Sequence, residues 1–203
     1  MDHSFIRNQL TAYNPNTDIV RGDHDPYPGM GPDGHLTSAA VLVPLILHDN
    51  ITALFTQRAK RMSKHSGQIS FPGGHVDDED VDAEATALRE TEEEVGINSA
   101  HIETIGRLDT YVIRTGFLVT PVVGFLQPPF IVTPDDHEVD EVFEVPLSFL
   151  MDHNNHQRHK RELNGQNRDY FAIPYEGRYI WGATAGMLVN LYDILMAPLG
   201  DDV

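Results

Sequence analysis

Cysteine is absent from this 203-residue chain, which excludes disulfides, thiolate metal sites and cysteine nucleophiles. Any bound metal must therefore sit on oxygen or nitrogen. Long apolar runs are missing as well. Met1 to Leu10 has no basic start followed by an apolar stretch, and no later segment approaches the roughly 18 to 20 apolar residues that span a bilayer. These absences predict a soluble, cytoplasmic protein with no membrane partner. Positive charge is scarce: 14 Lys and Arg stand against 31 Asp and Glu. The resulting formal charge of −17 opposes the long-range attraction behind non-specific nucleic-acid binding, so nucleic acid is not an expected partner.

What is present suffices for one substantial core and is too short for two large ones, with 40% hydrophobic and 22% charged residues. The expected organisation is an N-terminal lead-in over 1–35 with a short helix, one domain over 36–197, and a tail over 198–203. The charge is unevenly placed. Arg58, Lys60, Arg61 and Lys64 supply 4 of the 14 basic residues, and the block from Asp77 to Glu94 holds 10 of the 31 acids. Binding a metal together with a phosphorylated small molecule would require such neighbouring patches, although a solvated surface patchwork produces the same pattern.

Along the chain, Phe5, Ile6 and Leu10 mark the lead-in helix. The β-branched, apolar run from Thr37 to Leu47 and the stretch Ile51 to Gln57 predict two strands, paired as a hairpin across Asp49-Asn50. A third short strand, Gln68 to Phe71, ends at Pro72-Gly73-Gly74, a tight loop. A helix is predicted from near Ala83, with Asp80 or Asp82 as N-cap and Gly96 as its left-handed terminator. Further strands are expected over 102–108, 117–126 and 141–145, a helical turn over 147–151, a polar loop over 152–169, and a closing helix over 184–196. Strands around two or three helices imply an α/β sandwich with a mixed β-sheet.

At 100° per residue, Glu90, Glu93 and Glu94 fall within a roughly 100° arc of the central helix, and Ala85, Leu88 and Val95 lie opposite, as the expected sheet-packing face. Like charges three or four apart repel by about 0.2–0.5 kcal/mol per pair, and a cation would remove that penalty. An all-oxygen donor set favours hard ions such as magnesium, manganese or calcium. Arg89 is placed to fix one carboxylate by a bidentate contact. An ordinary solvated acidic face is the competing reading of these residues alone.

The combined pattern Gly73-Gly74, Arg89-Glu90, Glu93-Glu94, Gly96 and Ile97 resembles the Nudix box, G-x5-E-x7-R-E-U-x-E-E-x-G-U, where U is a bulky aliphatic residue. The chain departs from it in carrying Asp80 for the first glutamate, an interval one residue longer before Arg89, and Thr91 in an aliphatic position. The Asp77-x-x-Asp80 loop, the longer interval before Arg89, and the upstream segments Leu54-Phe55-Thr56-Gln57-Arg58-Ala59 and His65-Ser66-Gly67-Gln68-Ile69-Ser70-Phe71-Pro72-Gly73-Gly74 resemble the coenzyme A pyrophosphatase subfamily. Ser63 stands where that subfamily often has Arg. Val119-Thr120-Pro121, Glu138-Val139 and Ile180-Trp181-Gly182 look like later landmarks of it.

The resemblance implies a Nudix-type α/β/α sandwich with a loop-helix-loop catalytic motif. It implies Mg2+- or Mn2+-dependent hydrolysis of coenzyme A to 3′,5′-ADP and 4′-phosphopantetheine. By the same likeness, Glu90 and Glu94 are metal ligands, the Gly74 carbonyl a further one, and Glu93 a ligand or the base, with Glu138 as competing base or additional ligand. Arg58, Lys60, Arg61 and Lys64 would grip phosphates. His65 and Gln68 would contact phosphate or hold the loop, Phe71 would be a core or lining residue, and Gly73 would line the substrate. The partner would be a small molecule, and a homodimer is compatible with the pattern. ADP-ribose or another nucleoside diphosphate derivative is the alternative substrate, and a non-catalytic nucleotide-binding domain the alternative class.

Overall fold

The computed structural model describes residues 1–15, 21–22, 36–62, 66–113, 115–163 and 166–198. The central strand is β2 (Thr37–Ile46), whose apolar run is covered on both faces along its second half. Such a run is what a strand buried between two layers requires. The other elements before the central helix are α1 (His3–Ala12), β1 (Arg21–Gly22), β3 (Thr52–Arg58), β4 (Ile69–Ser70) and β5 (Gly73–His75). After α2 (Ala83–Val95) come β6 (Ile102–Arg107), β7 (Tyr111–Ile113), β8 (Phe117–Leu126), β9 (Val139–Pro146) and α3 (Leu147–Leu150). β10 (Gln157–Leu163), β11 (Gln166–Tyr175), β12 (Arg178–Trp181) and α4 (Ala183–Met196) follow.

The larger sheet is mixed, in the order β1-β7-β8-β2-β3-β4. β2 runs parallel to β8 from Thr37↔Phe117 to Ile46↔Leu126. On its other edge β2 is shared, with β5 pairing Ala39 to Val41 and β3 pairing only Leu45 and Ile46. The expected hairpin therefore closes only at its base. β3 turns away and takes β9 as its long antiparallel partner. Between the two partners of β2, the Leu42 amide donates to the Pro72 carbonyl at 2.9 Å. The sheet thus splits where the Pro72-Gly73-Gly74 loop enters it.

On one face α2 packs through Ala87 and Val95 onto Ala40, Leu42, Leu54 and Val122. On the other, Val43, Phe55, Phe125 and Phe143 meet Ile6 and Leu10 of α1 and Leu188, Leu191 and Leu195 of α4. The result is the expected α/β/α sandwich. Among the described residues no helix is long and apolar enough to cross a membrane.

Two expectations need correction. The 152–169 segment is no loop, because β10 and β11 pair antiparallel from Gln157↔Ala172 to Leu163↔Gln166 and β12 completes a second sheet. The polar string HNNHQRHKR conceals a strand whose partner supplies the apolar residues: Ile173 of β11 and Ile180 of β12 are fully buried. The second correction is the rotation of α2. Thr86, Ala87, Thr91, Glu94 and Val95 face inward, whereas Ala85 and Leu88 are only partly covered. Thr91 tolerates the core because its hydroxyl donates to the Ala87 carbonyl at 2.6 Å.

The ends of α2 match the sequence. Asp82 caps the start by accepting the Ala85 amide at 2.9 Å, and Gly96 ends it at φ 71°. A Cβ on Gly96 would lie 2.8 Å from the Thr133 carbonyl oxygen. Gly96→Ala is therefore expected to lower stability by about 1–2 kcal/mol from the left-handed backbone alone. An unchanged urea midpoint would contradict this account of the helix end.

Candidate active site

The loop after β4 places two glycines where no side chain fits. A Cβ on Gly73 would lie 2.3 Å from the Ala40 carbonyl oxygen, and one on Gly74 would lie 2.4 Å from Oε1 of Glu90. Gly73 lets the loop press on β2, and Gly74 lets a carboxylate rest against its backbone. The Gly73 amide then donates to Oε2 of Glu94 at 3.2 Å.

The inward rotation of α2 grades the burial of its acids. Glu94 has 5% of its side chain exposed, Glu90 17% and Glu93 60%. Burial pushes the Glu94 carboxyl up to about 7, with the negative charges of Glu138 and Glu90 adding to the effect. The Gly73 amide and Arg58, whose Nη1 stands 3.5 Å from Oε1, oppose it. Glu90 is pushed up by burial too, against the pull of Arg89. The Glu138 carbonyl accepts the Ala59 amide at 2.8 Å, next to Arg58, and its charge bears on both Glu90 and Glu94.

Arg89 organises the outer half of the site. Its Nε and Nη2 donate to Oδ1 and Oδ2 of Asp80 at 3.1 and 2.8 Å, a two-pronged contact. Nη1 reaches Glu90 at 2.9 Å and Glu93 at 3.2 Å, and Nη2 also donates to the His75 carbonyl at 3.0 Å. Asp80 also accepts the Asp77 amide at 2.9 Å and the Thr86 hydroxyl at 2.8 Å. Arg89 first and these donors after it hold the Asp80 carboxyl well below the usual carboxylate range. The shorter acid and longer loop thus still meet the arginine.

Other expected residues fall into place differently. The backbone of Arg58 pairs with the Gln68 carbonyl, and its Nε is buried with no hydrogen-bond partner among the described residues. Its guanidinium is turned toward Glu94, inside the site. Gln68 is half-buried at the loop's start, whereas Phe71 is 3% exposed and stacks on Phe55 at 5.0 Å, within the core. Lys64 and His65 lie outside the described residues. The Lys60 backbone amide donates to Oδ2 of Asp140 at 2.9 Å, and Nε of Arg61 donates to the His137 carbonyl at 3.4 Å, next to Glu138.

Sequence reasoning missed Asp135 and Thr133. Their amides donate to the Glu94 and Val95 carbonyls at 3.0 and 2.8 Å, satisfying groups that a helix end leaves open and docking the Glu138 loop there. The signal available was the turn composition Thr133-Pro134-Asp135-Asp136.

Among the described residues the groups here able to hold an ion are oxygen donors, which suits a hard divalent ion. Glu94, Glu90 and the backbone beside the bare Gly74 Cα are the groups that fit it. Among the described residues no three carboxylate or imidazole groups already stand at mutual ligating distance.

A carboxyl raised from its ordinary 4.5 to about 7 favours its protonated form in the fold, so ionising it costs stability. In chelator, that cost should grow as pH rises from about 4.5 through 7, to about 3 kcal/mol at most. Glu94→Gln removes it and keeps an acceptor for Gly73. The variant should therefore gain on the wild type between about pH 5 and about pH 8 in urea unfolding. A difference that stays flat over that range would count against the burial of a charge here.

Comparison with known proteins agrees with this geometry. The NUDIX domain family matches residues 36–164. The uncharacterized Nudix hydrolase NudL of Escherichia coli K12 is 40% identical over 153 residues, 75% of this chain and 80% of that protein. The NudL protein of E. coli O7:K1 is 39% identical over the same span. Among solved structures, the Nudix hydrolase RenU of M. smegmatis superposes with a TM-score of 0.53 at 16% identity, covering 88% of this chain and all of that one. An Ap4A hydrolase binary complex from C. elegans reaches 0.48 at 27% identity over 54% of this chain and 80% of that one. With its box folded around a buried glutamate and its family matched over most of its length, the chain belongs to the Nudix hydrolases, a family of pyrophosphohydrolases that generally use divalent ions such as Mg2+ or Mn2+.

Proposed function

We propose that this protein hydrolyses the pyrophosphate of coenzyme A, releasing 3′,5′-ADP and 4′-phosphopantetheine, with Mg2+ or Mn2+. The chemistry rests on one observation: a carboxylate, Glu94, lies buried against Gly73 and Arg58 with Glu90 and Glu138 beside it. The substrate rests on the Leu54–Ala59 and His65–Gly74 segments and on the lengthened Asp77-to-Arg89 loop, which resemble the coenzyme A pyrophosphatases. The closure of that loop on Arg89 through Asp80 supports the resemblance.

Glu90, Glu94 and the Gly74 carbonyl would hold the ion, with Glu93 at the solvent edge. When bound, it would neutralise phosphate oxygens and lower the cost of charge developing on them. Water attacks one phosphorus, a P–O bond forms, and the bridging P–O bond breaks. A base takes the water's proton. Glu138 is assigned that role, because Glu93 is engaged by Arg89 and Glu138 faces both ligand glutamates by charge. Arg89 fixes Glu90 from outside. Arg58 stands beside Glu94, where a phosphate would meet a guanidinium, and Gln68 begins the glycine loop. Phe71 braces the loop from below.

Offered coenzyme A, ADP-ribose, Ap4A and a nucleotide panel with Mg2+ or Mn2+, the enzyme is expected to cleave coenzyme A best, with products identified by mass. A preference for ADP-ribose by about ten-fold, near 1.4 kcal/mol in transition-state discrimination, would replace the substrate assignment. Inertness toward all of them with ions bound would favour a binding domain. Glu138→Gln should lower kcat by about 10²–10⁴ and exceed the effect of Glu93→Gln. The reverse order would move the base to Glu93.

A further inference from the structure

The second sheet has two unlike faces. Its inner face, with Ile173 and Ile180 fully buried, completes the core. Its outer face is aromatic and partly exposed. Register places His159 opposite Tyr170, Ala172 opposite Trp181 and Pro174 opposite Tyr179, so these residues share one side. The His159 and Tyr170 rings stack at 5.6 Å with planes 29° apart, and Tyr170 meets Trp181 edge-on at 5.6 Å. The Tyr170 and Tyr179 hydroxyls stand 3.5 Å apart, and Tyr179 is 42% exposed.

Cross-strand aromatic pairs stabilise a sheet, but that alone does not call for positive charge beside them. Here the edge strand carries Arg158, Lys160 and Arg161, 3 of the chain's 14 basic residues, within four positions. Arg158 pairs with Asp169 at 2.7 Å. Lys160 and Arg161 are exposed and make no ion pair among the described residues, and Arg161 falls on the aromatic side by alternation from His159. In a protein of net charge −17 this is a local reversal of sign.

From this face we infer a nucleotide-binding surface on the second sheet: the base stacks on the His159–Tyr170–Trp181 cluster and its phosphate meets Arg161. Flat rings accept any base, and the Arg161 guanidinium beside them favours an anion, so the shared ligand chemistry is a phosphorylated nucleoside. Its source is either the nucleotide half of a substrate or a free nucleotide.

Trp181 is the protein's single tryptophan, so its fluorescence reports on this face alone among tryptophan signals. Adenosine 3′,5′-bisphosphate, added to the full chain in chelator, should quench it saturably, and ribose 5-phosphate should not. Tyr170→Ala should weaken the response by about ten-fold or more, consistent with the loss of one stacked ring. His159→Ala, a truncation at a partly exposed edge, should weaken it in the same direction if the first variant folds poorly. Arg161→Glu should weaken binding and flatten its salt dependence. A raised KM for coenzyme A in Tyr170→Ala at unchanged kcat would assign the surface to the substrate; an unchanged KM would assign it to a free nucleotide. Absence of saturable quenching, or quenching that survives both ring truncations, overturns the proposal. None of these readings requires that coenzyme A be hydrolysed, so the two assignments fail separately.

Discussion

Burial of the Glu94 carboxylate is the constraint around which the site is arranged. An isolated charge removed from water is costly, and proteins compensate with hydrogen bonds, opposite charge or protonation. Glu94 has partial versions of each. One oxygen accepts the Gly73 amide, the other faces Arg58, and the carboxyl titrates near neutrality. Those partners exist because the sheet divides. β2 gives up its edge to β5 before β3 takes it, and the glycine loop enters the gap. A continuous sheet would present side chains there, and the backbone amide of Gly73 would be occupied by a neighbouring strand.

Around this buried group, Arg89 and Asp80 hold what would otherwise be a mobile acidic loop. The guanidinium's two-pronged grip on Asp80 fixes the loop to the helix, and its remaining donors orient Glu90 and Glu93. Thr86 and the Asp77 amide lock Asp80 from its other side. On the far end of α2, Thr133 and Asp135 dock the Glu138 loop onto the helix's last carbonyls. Both loops are thus referred to one rigid element, which is how groups distant in sequence come to share an electric field.

Much of this was legible beforehand, for identifiable reasons. The span of α2 is written in local chemistry: Asp82 accepts an amide at one end and Gly96 takes a left-handed conformation at the other. β2 and β8 are apolar enough to declare themselves as strands. The rotation of α2 was not legible, because hydropathy ranks Leu88 above Glu94 as an inward residue. What reverses that order is tertiary: Gly73 and Arg58 offer Glu94 partners that no scan of the helix alone contains. β10 was hidden for a similar reason, since its outer face and its edge are polar and only its pairing with β11 shows it to be a strand. Spacing leaves the role of Asp80 open, because its grip on Arg89 depends on how the loop folds, and of the two readings open for Phe71, core or lining, its stacking on Phe55 supports the core.

The charge distribution adds a last step. A protein this acidic repels phosphorylated ligands at long range, and the repulsion fades beyond about 8–10 Å at physiological salt. Attraction must then be local, and the cations are placed accordingly. Arg58 lies against Glu94, Arg61 lies beside the Glu138 loop, and Lys160 and Arg161 lie on the second sheet. Cations inside the acidic cluster are largely matched by carboxylates and cannot by themselves hold a polyanion. A divalent ion at Glu90 and Glu94 would shift that balance, so phosphate binding in the cleft and ion binding become parts of one event. The second-sheet cations are free of that coupling. An anionic ligand could engage them whether or not the cleft is loaded, which separates recognition of a nucleotide from the charge balance of the bond that is cut.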